Sequence, residues 1–405
     1  MTRPAPFLAA ALALAAPASA QQPGAEITPE DRLVHDQMIV IDTHLDVPSR
    51  FRTGWDLGEL HHFAEDNSQV DLPRMAQGGL DGGFFVIYTA QGELNPAAYA
   101  RARDSALLRA MEIHRMLGAY RDRIALVTTA EEAEAAVQAG KRIAFISIEN
   151  SWPLGEDLTL LEAFHRLGVR MAGPVHSRTN QLADSTTGEP RWRGLSPLGR
   201  RWVAEMNRLG MLVDVSHSSD AAFDQMVALS RVPVVASHSG PSAINEHPRN
   251  LDDDRMRRLA RAGGVMFLNS LFLAPHDTSE ERSAVEARQL RWAELSREER
   301  RRLLADRAAL EARQPFNQAN FETYMRALLH AVRVMGADHV GLGADWDGGG
   351  GVQGMEDITA LPRITARLRR EGFAEADIAK IMGGNLLRVL RQAQAAAATA
   401  PAVRG

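Results

Sequence analysis

The sequence predicts an α/β protein, a single (β/α)8 barrel of the TIM type with a helical insertion before its last strand. Eight short apolar runs recur along the chain, and helix-like amphipathic stretches separate them, which is the pattern of parallel β/α units. The 405 residues suit one such barrel enlarged by an insertion, because α/β barrels often need about 250 residues and grow further. An open doubly wound sheet is the alternative, but no G-x-G-x-x-G pattern follows the first predicted strand.

The first twenty residues have the pattern of a secretory signal peptide. Arg3 precedes an apolar run from Phe7 to Ala16, and the segment ends in Ala18-Ser19-Ala20, a small-residue cleavage site. A membrane-spanning helix would need about 20 apolar residues, and this run is shorter. We therefore expect a signal peptide over residues 1–20, an exported protein that is periplasmic or secreted, and one barrel domain over residues 21–405.

The predicted elements alternate regularly after the signal. The strands are Met38–Thr43, Gly83–Tyr88, Ile143–Ile148, Val169–Val175, Met211–Ser216, Val232–Ser237, Gly264–Asn269 and His339–Ala344. The helices among them are Ala98–Leu117, Ala130–Ala139, Leu158–Leu167, Pro197–Leu209, Ala221–Leu229 and Asp252–Ala262.

Residues 276–320 interrupt this alternation. They are dense in Arg, Glu and Ala, and Ser296 and Glu299 form a capping-box pattern ahead of Arg300–Arg313. We interpret the segment as a solvated helical insertion; its position alone suggests the alternative of a lid or partner-binding helix. A helical segment over Glu375–Gln394 closes the chain.

Composition narrows the chemistry that the chain can perform. It has 46 Lys and Arg against 51 Asp and Glu, a net charge of −5, and no basic stripe to neutralise phosphates, so the sequence does not favour nucleic-acid binding. Cysteine is absent, which excludes disulfides, thiolate metal sites and cysteine nucleophiles. Any transition-metal site must therefore use His, Asp and Glu.

Side chains that bind metals stand at the carboxyl ends of the predicted strands. In chain order they are His44 and Asp46 after the first strand, Glu149 after the third, His176 after the fourth, His217 after the fifth, His238 after the sixth and Asp345 after the eighth. All carboxyl strand ends of a barrel meet at one face. Buried carboxylates and imidazoles gathered there are costly without a cation, so the pattern predicts two divalent metals bridged by one carboxylate.

The other histidines give no such pattern. Five lie in helical or strand-leading contexts without acidic partners at ligand spacing, and we interpret them as surface or core residues: His35, His114, His165, His330 and His339. Four more lie in predicted loops, where the sequence does not distinguish a role: His61, His62, His247 and His276.

The segments around the strand ends resemble the membrane (renal) dipeptidase family, zinc-dependent peptidases of the metal-dependent amidohydrolase superfamily. The matching segments are Ile41–Pro48, Ser147–Glu149, Pro174–Asn180, Asp214–His217, Ala236–Ser239, His247–Asn250, His339–Gly348 and Gly383–Val389. They follow the family's order, and the resemblance covers nearly the whole chain after the signal.

The resemblance implies a centre of two zinc ions per chain. In that centre His44 and Asp46 bind one ion, His217 and His238 bind the other, and Glu149 bridges both. Zinc lowers the pKa of a bound water to about 7, so the implied nucleophile is a metal-bridging hydroxide.

The resemblance also implies roles for three further side chains. His176 contacts the scissile carbonyl oxygen, Arg249 holds the free carboxylate of the substrate, and Asp345 carries the proton from the bridging water to the departing amine. Three aspartates are candidates either for orienting the ligand imidazoles or for capping strands: Asp42, Asp214 and Asp347.

The implied function is an exported dipeptidase that hydrolyses the peptide bond of dipeptides and tolerates D-residues at the carboxyl-terminal position. Two alternatives stay open: a barrel amidohydrolase for another carboxylate-bearing amide, such as a β-lactam or an N-acyl amino acid, and a non-catalytic exported binding protein. The expected partners are small-molecule substrates, with no nucleic acid and no stable membrane anchor, and a homodimer is one assembly open to the chain. Relatives often carry Tyr shortly after the seventh strand, whereas Val265–Phe272 contains none, so the resemblance does not fix side-chain selectivity.

Overall fold

Eight parallel strands curl into a barrel in the computed structural model, which describes residues 27–291 and 295–398. The strands are β1 Ile41–Leu45, β2 Gly82–Ile87, β3 Ile124–Leu126, β4 Arg142–Ile148, β5 Val169–Ala172, β6 Leu212–Val213, β7 Val235–Ser239, β8 Val265–Leu268 and β9 Val340–Leu342. Their order around the sheet is β6-β5-β4-β2-β1-β9-β8-β7, and β3 pairs with β4 outside this path. The predicted barrel is confirmed; the expected signal peptide lies outside the described residues.

A parallel bridge between Asp214 and Val235 joins the two ends of the sheet. The amide of Val215 donates a hydrogen bond of 2.8 Å to the carbonyl of Val235, so β6 lies beside β7. All eight predicted strands are present, although β5 and β6 end three residues before their predicted ends. β3 was not predicted, because its three residues are too few to show a periodic pattern.

Helices alternate with the strands and cover them. They are α1 Pro29–Asp36, α2 Phe63–Asp66, α3 Leu72–Gly78, α4 Pro96–Ala119, α5 Ala130–Gln138, α6 Thr159–Arg166, α7 Pro197–Leu209, α8 Asp220–Leu229, α9 Asp253–Arg261, α10 Glu280–Leu290, α11 Arg297–Arg313, α12 Phe321–Met335, α13 Leu361–Arg370, α14 Glu375–Ala379 and α15 Asn385–Ala398. Local signals explain the agreement with the prediction: α7 has Ser196 as its N-cap, Pro197 in its first turn and Gly210 in the left-handed conformation at its end.

Strand burial leaves polar chemistry only at the strand ends. Every residue of β1, β2, β7 and β8 is buried, and the apolar side chains of the strands form two clusters with those of the helices. Strands buried on both faces are typical of parallel sheets covered by helices.

The insertion is a helical hairpin between β8 and α12. α10 and α11 share a small apolar core of Val285, Leu303 and Leu310, and Arg282 pairs with Glu311 at 2.6 Å. The predicted capping box of Ser296 is present, although the helix begins at Arg297. Within the described part of the chain, no helix is long and apolar enough to cross a membrane.

The carboxyl-terminal helix differs from its prediction. One turn of π-helix, Lys380–Gly384, separates α14 from α15. Gly383 lies so close to β1 that a Cβ atom there would be 2.4 Å from the carbonyl oxygen of Ile39. The glycine thus permits a close backbone contact that a continuous helical pattern does not reveal.

Candidate metal centre and active site

Glu149 is the centre of the cluster at the carboxyl end of the barrel. Its Oε1 atom lies 3.0 Å from His217 Nε2, 3.5 Å from His238 Nε2 and 3.8 Å from His44 Nε2. His44 Nε2 lies in turn 3.3 Å from Asp46 Oδ2. The structure thus brings all five predicted ligands together and places Glu149 between the two pairs.

The other three predicted site residues border this cluster. Asp345 Oδ1 lies 3.9 Å from His44 Nε2, and His176 Nε2 lies 3.5 Å from Glu149 Oε1. The guanidinium of Arg249 donates a hydrogen bond of 3.2 Å to the carbonyl oxygen of His238.

His176 differs from the other histidines by its exposure. Three groups of ligand atoms, each within 4.8 Å of one another, occur among the described residues: His44, Glu149 and His238; Glu149, His176 and His217; His44, Asp46 and Asp345. Distance alone therefore places His176 among the ligands. Its side chain, however, is 28% exposed, against 8% or less for the other three histidines. It lies where the cluster faces solvent.

Two aspartates hold the strand ends that carry the site. The Asp42 carboxylate accepts hydrogen bonds from the amides of His44 and Ala344, both at 2.9 Å, and so ties β1 to β9. Asp214 Oδ1 accepts hydrogen bonds from the amides of Ser216 and Ser237, at 3.0 and 2.9 Å. Both therefore act as strand caps, as one of the two sequence interpretations expected.

Asp214 also sets the tautomer of His238 through Ser237. Ser237 Oγ lies 2.6 Å from Asp214 Oδ2 and 2.8 Å from His238 Nδ1. Because a carboxylate can only accept, the hydroxyl donates to Asp214 and accepts the Nδ1–H of His238. This leaves the Nε2 lone pair directed at the cluster, which is the state a metal ligand needs.

Asp347 does not orient an imidazole. It is buried and accepts hydrogen bonds from Arg50 Nε at 2.9 Å and from the amide of Gln69 at 3.0 Å. It holds the loop after β9 against the segment that follows Asp46.

Two site residues have a backbone conformation that L-residues rarely adopt. His217 and Asp345 both have φ of 67°, in the left-handed region. Such strain costs about 1 kcal/mol or more per residue and concentrates at functional sites. Both side chains reach the cluster from the loops that follow β6 and β9.

Burial and neighbouring carboxylates shift the pKa values of the side chains in the cluster. Burial raises the pKa of Glu149 and of Asp345, and the nearby charge of Asp46 raises both further. Burial alone would lower the pKa of His44, but the carboxylates of Asp46 and Glu149 outweigh it and raise that pKa to about 10. Burial also lowers the pKa of His217 and His238 well below the usual value, so both are neutral. Neutral imidazoles beside carboxylates are the donor set of a divalent transition metal.

Buried polar atoms without hydrogen-bond partners also indicate that the cluster is suited to bind metal. Buried His44 Nε2, His44 Nδ1 and His217 Nδ1 have no hydrogen-bond partner, although buried polar atoms are normally paired. His217 Nε2 and His238 Nε2 lie only 2.8 Å apart and face one point. The residues present therefore fit bound metal.

Three residues of the site were not predicted. Tyr88 directly follows β2, and its ring lies edge-on to His176 with 5.0 Å between centroids. Phe272 lies 5.5 Å from the guanidinium of Arg249 and stacks on His247 at 4.4 Å. The position of Tyr88 at the carboxyl end of a predicted strand could have identified it as a site residue. No such position identifies Phe272 or His247.

The chain is similar to known peptidases over almost its whole length. The family described as membrane dipeptidase (peptidase family M19) matches residues 29–404. Dipeptidase tcpJ of Claviceps purpurea is 30% identical over 373 residues, which are 90% of this chain and 77% of that protein.

Two solved structures share the fold. The probable dipeptidase PvdM from Pseudomonas aeruginosa has a TM-score of 0.77 and 28% identity, over 91% of this chain and 98% of that one. A metallo peptidase from Rhodobacter sphaeroides, liganded with a phosphinate mimic of the dipeptide L-Ala-D-Ala, has a TM-score of 0.69 and 28% identity. The match covers 88% of this chain and 99% of that one.

Proposed function

The chain belongs to the membrane dipeptidase family, peptidase family M19, and from that membership we propose how its own residues cleave a dipeptide. It is a metal-dependent hydrolase that acts on the peptide bond of dipeptides. The observation that carries the proposal is the cluster of five metal-type ligands, Glu149 and four others, with a buried arginine directly beside them.

In this proposal His44 and Asp46 would hold one zinc ion, His217 and His238 would hold a second, and Glu149 would be shared by the two sites. When bound, zinc supplies Lewis acidity, which polarises a carbonyl group and brings the pKa of water to about 7. The Asp214–Ser237–His238 chain keeps the His238 lone pair on the metal side.

Arg249 anchors the substrate by binding the substrate's free carboxylate. Its guanidinium is buried, yet Nη2 is bonded only to the carbonyl of His238 and Nε has no partner. Burial lowers the pKa of Arg249 to about 10, so the group stays charged near neutral pH. A planar fork with free donors matches a carboxylate and thereby selects short peptides whose carboxyl terminus lies near the scissile bond.

His176 donates a hydrogen bond to the scissile carbonyl oxygen. Burial lowers its pKa to about 4, so the ring is neutral. Ser177 Oγ lies 2.8 Å from its Nδ1, and a hydroxyl that donates there leaves the proton on Nε2, the nitrogen that faces Glu149. A neutral donor of this kind stabilises charge that develops on the carbonyl oxygen.

Asp345 accepts a proton from the attacking water and returns it to the departing amine. Burial and the charge of Asp46 raise its pKa towards the range in which a carboxylate exchanges protons near neutral pH. Its strained backbone directs the carboxylate at His44 and the cluster.

The carboxyl-terminal residue of the substrate can be of D-configuration in this proposal. The similar metallo peptidase from Rhodobacter sphaeroides holds a mimic of L-Ala-D-Ala, and the two chains share the fold with 28% identity. We further propose export, which depends on the pattern of residues 1–20 and is tested by amino-terminal sequencing of the protein recovered from the periplasm or medium.

A substrate panel tests the activity. Dipeptides with L- and D-residues at each position, a β-lactam and an N-acyl amino acid are incubated with zinc-loaded protein, with and without chelator. We expect hydrolysis of dipeptides with either configuration at the carboxyl-terminal position, abolished by chelator. Faster hydrolysis of the β-lactam or the N-acyl amino acid than of any dipeptide would contradict the proposal.

A further inference from the structure

A cavity of about 1160 Å³ lies between the helical insertion and the barrel. α10 and α11 form one side of it, and the segment after Asp46 together with the loop Gly348–Gly351 forms the other. Small-molecule sites have volumes of about 300–1,000 Å³, so the space is large enough for a ligand.

Gly348 lies beside both this cavity and the metal centre. A Cβ atom on Gly348 would lie 2.3 Å from both Asp345 Oδ1 and Asp46 Oδ2, so the position admits no side chain. Gly348 also lines the cavity. A molecule in the cavity therefore lies directly beside two residues of the active site.

Most charged groups that line the cavity have partners within the protein. Arg50 pairs with Asp347 at 2.9 Å, and Arg282 pairs with Glu311 at 2.6 Å. Asp66 accepts hydrogen bonds from Trp55 and Ser68, and Glu356 accepts a hydrogen bond from the amide of Gly354. Glu286 is exposed at the rim.

Arg307 of α11 is the exception. No carboxylate of the described residues lies within ion-pair distance of it; its guanidinium donates to the side-chain oxygen of Asn67 and lies 5.7 Å from the ring centroid of Phe63. It is half-buried, and burial lowers its pKa below the usual value. A charge that is partly desolvated without an ion pair is costly, and an anionic ligand would relieve that cost.

Apolar side chains supply the rest of the cavity wall. They come from α2, α10, α11 and the end of the insertion: Phe63, Val285, Leu303, Leu304 and Phe316. We propose that the cavity binds a carboxylic acid with an apolar body, whose carboxylate pairs with Arg307. The occupant is a free acid, distinct from the dipeptide whose carboxylate is assigned to Arg249.

Calorimetric titration of hexanoate into the zinc-loaded full chain tests the site. The titrations use an Arg249→Ala background, so that the substrate arginine does not contribute. We expect Arg307→Gln to weaken hexanoate binding at least tenfold, because a charge-assisted hydrogen bond is lost. The matched control is Arg302→Gln, since Arg302 is exposed on the same helix and pairs only with Glu298; it should leave binding unchanged.

A comparison of ligands keeps the test independent of the variant's folding. Hexanamide has the same shape without the charge and should bind at least tenfold more weakly than hexanoate. Equal binding of the two ligands, or hexanoate affinity unchanged in Arg307→Gln, would overturn the proposal. Absence of any dipeptide hydrolysis would refute the proposed function while leaving the hexanoate titration interpretable.

Discussion

The substitution Arg249→Ala removes the group that we propose anchors the substrate carboxylate. The guanidinium is buried, its Nη2 is bonded to the carbonyl oxygen of His238, and its Nε has no hydrogen-bond partner among the described residues. Truncating one member of a buried charge pair costs about 2–5 kcal/mol. A loss of about 3 kcal/mol corresponds to roughly a 150-fold fall in kcat/KM for a dipeptide, most of it in KM. An amidated dipeptide cannot form the ion pair and should lose only about 1 kcal/mol, or roughly fivefold.

Steady-state kinetics on matched Ala-Ala and Ala-Ala-amide substrates measure this difference. Arg178→Ala is the control, because Arg178 is an exposed arginine on the loop after His176 and should change neither value by more than about twofold. Equal losses for the acid and the amide in Arg249→Ala would refute the carboxylate role. A similar difference in Arg178→Ala would show that general electrostatic attraction, not the buried fork, selects the substrate.

Three further predictions concern the proton carrier, the ligand tautomer and a core histidine. Asp345→Asn should lower kcat by about 10²–10⁴-fold with unchanged zinc content, and unaltered dipeptide kinetics would remove Asp345 as the proton carrier. Ser237→Ala should weaken zinc binding by about 10–100-fold in a chelator titration, because it breaks the chain to His238 Nδ1. The control is Ser242→Ala, a half-buried serine in the loop after β7, and equal zinc affinity in both variants would refute the tautomer argument. Burial lowers the pKa of His35 to about 4, below its unfolded value of 6.5, so the unfolded state binds the proton first. His35 therefore contributes stability above pH 6.5 that is lost as pH falls towards 4, up to about 3 kcal/mol. Denaturant unfolding between pH 7 and 4 should show this loss in the wild type and a smaller one in His35→Gln; parallel curves would contradict it.

The barrel was predictable because its signals are local. Apolar runs mark strands that are buried on both faces, and capping residues such as Ser196 and Ser296 mark helix starts. The prediction failed where side chains replace backbone pairing. β6 ends at Val213. The amide of Asp214 still bonds to Ala172 of β5, but the amide of Val215 bonds to Val235 of β7 and that of Ser216 bonds to the Asp214 carboxylate. The helix after Glu375 is interrupted where Gly383 lies against Ile39.

The candidate site was predictable to the extent that it follows the strand ends. Topology brings those ends together, so His44, Glu149 and His238 converge although more than a hundred residues separate the first two. The contacts that orient these ligands join atoms about 3 Å apart in the folded chain. The Ser237 bridge, the Phe272 ring near Arg249 and the guanidinium of Arg307 in the cavity are therefore visible only in the folded chain.

Zinc stoichiometry tests the central claim, which is that Glu149 and the four side chains around it form a centre for two metal ions. Full-length protein is stripped with chelator, reconstituted with zinc, freed of unbound metal and measured by elemental mass spectrometry. The wild type should retain close to two zinc ions per chain, and His217→Ala should retain close to one. No retained zinc in the wild type, or the same content in the wild type and in His217→Ala, would contradict the account.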